Sequence, residues 1–108
     1  VYEYKVEILR VVDGDTIDAR LDLGLRVETV QRLRLAGIDA WETRGPDRPR
    51  GLVAKEALES FLATGGPWIA RTEKTGKYGR WLAQIVNEEG VDVSRWMVEE
   101  GHAIERSY

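Results

Sequence analysis

The sequence contains no cysteine, and among its 108 residues there is a single histidine. The first absence excludes a disulfide framework, a thiolate metal centre and a cysteine nucleophile. Together with the lone histidine it also argues against a zinc site, which draws on sulfur and imidazole ligands. Compartment stays open, because a cysteine-free domain survives in oxidising and reducing surroundings alike. No apolar run approaches the ~18 residues that suggest a membrane span, so no membrane partner is expected. A basic excess is missing too: the formal net charge is −3, which argues against a passive nucleic-acid binder with its usual basic footprint. The chain opens on Val1 without a methionine or a signal-like apolar stretch, so any targeting segment is expected to be absent or already removed.

What is present is ordinary for a globular protein, with 43% apolar and 32% charged residues. The length suits one domain over residues 1–108, and a monomer is expected. The charge is unevenly spread. Arg32, Arg34, Arg44, Arg48 and Arg50 outnumber Asp39, Glu42 and Asp47, and from Arg71 to Arg80 four bases face only Glu73. Two positive segments in an otherwise acidic chain can concentrate a polyanion locally; the alternative is a solvated charged surface.

Alternation through Tyr2, Tyr4, Val6 and Ile8 predicts a strand up to Val12, followed by the turn Asp13-Gly14. Ile17, Ala19, Leu21 and Leu23 share one face of a second strand ending at Gly24. A third runs from about Thr29 to Ile38, with Leu33 and Leu35 on one face and Arg32 and Arg34 on the other. The spacing of Ala54, Ala57, Leu58, Phe61 and Leu62 predicts a helix that begins near Pro49 and stops at Gly65-Gly66-Pro67. Trp68–Thr72 and Trp81–Val86 read as two further strands, after which Ser94 is a plausible N-cap and Gly101 a stop for a short helix carrying Trp96 and Met97. The order β-β-β-α-β-β-α describes a β-rich α+β fold. It suits a five-stranded Greek-key barrel of the OB type, with a helix after strand 3 and a C-terminal helix. An open α+β sheet is the alternative.

Asp15 has the parity of Ile17 and Ala19, so it should begin its strand on the apolar face, where a carboxylate must be paired, hydrogen-bonded or cation-bound. The other reading makes Asp13-Gly14-Asp15-Thr16 a plain turn whose carboxylates bond backbone N–H groups. Asp39 and Glu42 lie where the third strand ends, and several oxygen ligands on turns suit a hard cation such as calcium. Arginines held on strands can neutralise a phosphodiester with parallel hydrogen bonds. Arg34 and Arg80 are the candidates, and a structural ion pair with one of the aspartates is their alternative role.

The set DGDT, RLRLAGIDAWET, KYGRWLA and EEGHA, in this order and with these gaps, resembles the staphylococcal nuclease (thermonuclease) family from about Val6 to Ala103. The resemblance implies a Ca2+-dependent nuclease acting on DNA and RNA and leaving a 3′-phosphate. It implies Asp15, Asp39 and the main-chain carbonyl of Ala40 as metal ligands, and Glu42 as the carboxylate that activates or orients the attacking water. Arg34 and Arg80 would bind the reacting phosphate, and Lys77 and Tyr78 a terminal phosphate. Where the family more familiarly shows proline, this chain has Trp41, which is either a packing residue or a stacking surface. Tyr108 stands near the family's C-terminal tyrosines, as a base platform or a frayed end. His102 reads as a surface or helix-end residue, and Trp68, Trp81 and Trp96 as barrel packing. A second reading, from another class, is a catalytically inactive interaction module; such copies lose the acids or arginines, all of which are present here.

Overall fold

The computed structural model describes residues 2–74 and 81–106. Five strands close a barrel in the order β1 (Tyr2–Asp13), β2 (Thr16–Asp22), β3 (Glu28–Leu35), β6 (Trp81–Asn87) and β5 (Trp68–Lys74). All neighbours are antiparallel except β3 and β6, which run parallel through Leu33–Leu35 and Trp81–Ala83. Closure removes the sheet edges that an open α+β arrangement would leave unpaired. The barrel matches the OB-type expectation, with helix α1 (Arg48–Thr64) between β3 and β5 and helix α2 (Val93–Glu99) after β6.

The interior follows from the period of two along each strand. Ile17, Ala19 and Leu21 from β2, Leu33 and Leu35 from β3, and Ala83 and Ile85 from β6 are buried together. Helix α1 covers one end of the barrel with Gly51, Ala54, Leu58 and Leu62, one stripe at helical spacing. Helix α2 adds Val93 and Met97, both fully buried. Its N-cap is Asp92, whose carboxylate accepts the Ser94 N–H; Ser94 itself, expected at the cap, lies buried in the first turn.

One expected element is divided. The third strand does not continue to Ile38: β3 stops at Leu35, the chain turns through Ala36-Gly37 with Gly37 at φ 80°, and Ile38–Ala40 form a separate strand, β4. It pairs antiparallel with β7 (Ala103–Glu105) in a two-stranded ribbon. Left-handed backbone at Gly37 is available to glycine at little cost, which lets the chain leave the barrel there.

Candidate active site

The turn between β1 and β2 places Asp15. Its N–H donates to the Asp13 carboxylate at 3.1 Å, and its carbonyl accepts from Leu35 at the end of β3. Both early readings of DGDT therefore hold at once: Asp13 makes the local turn bond, while the Asp15 carboxylate points across the fold. Gly14 permits this, because a Cβ there would stand 2.7 Å from the Ala40 Cβ and 3.0 Å from that of Ala54. The turn thus lies directly on β4 and on α1.

Asp15 is 4% exposed. One carboxylate oxygen accepts from the Ala40 N–H at 2.9 Å and pairs with the Arg34 guanidinium at 3.0 Å; the other accepts from the Thr16 hydroxyl. Burial pushes its pKa upward, and the neighbouring Asp13 carboxylate adds to this through its hydrogen bond and charge, against the lowering from the Ala40 N–H and Arg34. Arg34 leaves the barrel wall on the outer face of β3, yet β4 covers it. It also donates to the Ile38 carbonyl and to the Asp39 carboxylate, each at 3.3 Å. One guanidinium therefore joins Asp15 to Asp39. Arg32, two residues earlier on the same face, goes elsewhere: it pairs with Asp18 of β2 on the open surface, and that hydrogen bond holds the Asp18 carboxyl below its usual range.

The second oxygen of Asp39 meets Arg106 at 3.4 Å. Asp39 faces Ile104 across the ribbon, so Arg106 reaches it from the diagonal position. Sequence reasoning passed over Arg106, since a strand of three residues shows no period to mark its outward side. Glu42 is exposed on the loop after β4. Its main chain is gripped, because a Cβ on Gly51 would fall 1.9 Å from the Glu42 carbonyl oxygen, so only glycine lets α1 lie against this loop. Asp15, Arg34, Asp39 and Ala40 thus come together, and Glu42 is carried on the adjoining loop. Arg80, Lys77, Tyr78 and Tyr108 lie outside the described residues.

Among the described residues, no group of three or more His, Cys, Asp or Glu side chains converges as a metal cage. The donors that do approach one another are two carboxylates, Asp15 and Asp39, linked by Arg34. An oxygen-only set of this size fits a hard cation that completes its shell with water and phosphate oxygens. It does not fit zinc, which favours imidazole and sulfur.

The family described as staphylococcal nuclease homologue matches residues 32–108. The succinoglycan biosynthesis protein ExoI of Rhizobium meliloti is 31% identical over 89% of this chain and 49% of its own length. The endonuclease YhcR of Bacillus subtilis is 31% identical over 94% of this chain and 9% of its own. An uncharacterised endonuclease of Escherichia coli O157:H7 is 29% identical over 89% of this chain and 57% of its own. The chain therefore spans about half of two of these relatives and a small part of the third.

Proposed function

Because the chain belongs to the staphylococcal nuclease family, we propose that it is a calcium-dependent phosphodiesterase that hydrolyses DNA and RNA. The observation that carries this reading is the convergence of Asp15 and Asp39 on one sheltered guanidinium, that of Arg34. A phosphoryl-transfer centre needs acids and a bidentate cation at one place, and Arg34 with Asp15 and Asp39 supports that reading. The endonuclease names of the Bacillus and Escherichia relatives support the reading, whereas the Rhizobium relative carries a biosynthetic name. The reading takes residues 1–108 as one nuclease domain, acting as a monomer.

Asp15 and Asp39 would hold the calcium ion, with the Ala40 carbonyl as the family resemblance implies. When bound, that ion supplies Lewis-acid polarisation of a phosphate oxygen. Arg34, fixed by the same carboxylates, neutralises charge on the non-bridging oxygens as it builds, and Arg80 shares this role by resemblance. Glu42 orients a water or takes its proton. The water oxygen bonds to phosphorus as the opposite P–O ester bond breaks, and the leaving oxygen takes up a proton. With a 3′-phosphate as product, the bond broken is the one to the 5′ oxygen. Lys77, Tyr78 and Tyr108 would bind the substrate outside the reacting phosphate. Contacts of this kind address the backbone, so little sequence preference follows.

The test is cleavage of single-stranded and duplex DNA with calcium, with magnesium and with chelator, run beside Asp39→Ala. Calcium-dependent cutting that the substitution abolishes is expected. A folded protein that cuts under none of these conditions would instead be an interaction module.

A further inference from the structure

Where the chain leaves β4 at Trp41 and approaches β7 through His102, a groove of about 460 Å³ is walled by Trp41, Pro49, Arg50, Val53, Glu100 and His102 among others. Three of these walls are planar π surfaces. The Arg50 guanidinium lies over the Trp41 ring, 4.9 Å from its centroid, which pins an indole that remains partly exposed. His102 is held from behind. Its N–H closes helix α2 by donating to the Met97 carbonyl, with Gly101 at φ 77° and its own N–H bonded to Val98. This Schellman closure lays the imidazole against Trp96, whose ring stacks on Phe61 at 4.1 Å. His102 is therefore more than a surface residue at a helix end: it is the outermost rung of an aromatic ladder rooted in the core.

We propose that this groove takes an unpaired nucleobase of the substrate strand. The proposal deepens the reading of the site as a phosphodiesterase centre and rests on it. Asp39 and Trp41 stand two residues apart on one chain, so a base in the groove belongs to a nucleotide beside the reacting phosphate. Aromatic and guanidinium planes stack any base. The Glu100 carboxylate can accept from a base amino group. A duplex keeps its bases stacked and paired, so the groove favours single strands and ends that have opened.

The experiment measures binding in chelator, where nothing is cut, using a labelled single-stranded oligodeoxynucleotide and a strand of the same length built from abasic sites. The wild-type protein should bind the base-bearing strand at least about fivefold more tightly, the low end of what one stacked base contributes. Trp41→Ala should lose that difference while holding the abasic strand as before, and Trp41→Phe should keep most of it. Equal affinity of the wild type for the two strands, binding of neither, or a Trp41→Ala protein weakened equally for both would overturn the proposal. A parallel cleavage assay with calcium separates the two readings. Cutting without base-dependent binding removes the groove and leaves the enzyme; base-dependent binding without cutting removes the enzyme and leaves the groove.

Discussion

Arg34 and Arg32 are two residues apart on one face of one strand, and the fold gives them opposite employment. Arg32 stays in solvent beside Asp18, where water and salt screen the pair and its contribution to stability is small. Arg34 is covered by β4 and spans two acids. Asp15 shows what such an arrangement costs. Its pKa is raised by burial first and by Asp13 second, so between the ordinary carboxylate pKa and the raised value the folded state binds more protons than the unfolded one. Stability then falls as pH climbs through that window, and the ionised carboxylate weighs on the fold above it. Asp15→Asn should accordingly be at least as stable as the wild type in urea at neutral pH without metal. The gap should close as pH drops below the raised pKa, where the wild-type carboxyl is itself protonated. A large loss of stability in the variant at neutral pH would show that Arg34 outweighs desolvation.

At the scale of elements, the loop carrying Glu42 depends on the first turns of α1. The short 3-10 turn Gly45–Asp47 leads into the helix, and Gly51 then passes the Glu42 carbonyl so closely that no side chain fits. Gly51→Ala must push the loop or the helix aside. We expect a loss of about 1–3 kcal/mol in urea denaturation, as for other overpacked contacts. Turnover should fall by about 10²-fold, because a displacement near 1 Å is enough to misplace a catalytic group. A variant that loses stability but cuts at the wild-type rate would detach Glu42 from the reaction. The ribbon of β4 and β7 acts at the same scale, bringing Asp39 of β4 against Arg106, which follows β7.

At the scale of the whole molecule, the two carboxylates come from separate segments, Asp15 from the first hairpin and Asp39 from the ribbon, and they meet only in the folded chain. A ligand bound by both must therefore stabilise the fold, by about 2.7 kcal/mol when present at a hundred times its Kd. Calcium at that level should raise the melting temperature by on the order of 10 °C, chelator should reverse the shift, and Asp39→Ala should not show it. Absence of a shift in the wild type would remove calcium from this site. Much of this molecule was legible in its sequence, because side-chain period is a local property. Alternation put Ile17, Ala19, Leu21, Leu33 and Leu35 inside and Arg32 and Arg34 outside, although Leu23, of the same parity, lies exposed past the end of β2. Helical spacing set the stripe of α1, and the count and order of strands suited a barrel or an open sheet, between which the closing pairs of β1 with β5 and β3 with β6 decided. The tertiary structure alone decided the break at Gly37, the ribbon of β4 with β7, the division of labour between Arg32 and Arg34, and the arrival of Arg106 at Asp39. Strands of three residues carry no period, and which carboxylate an arginine meets depends on chain segments brought together across the fold, which no spacing along the sequence encodes.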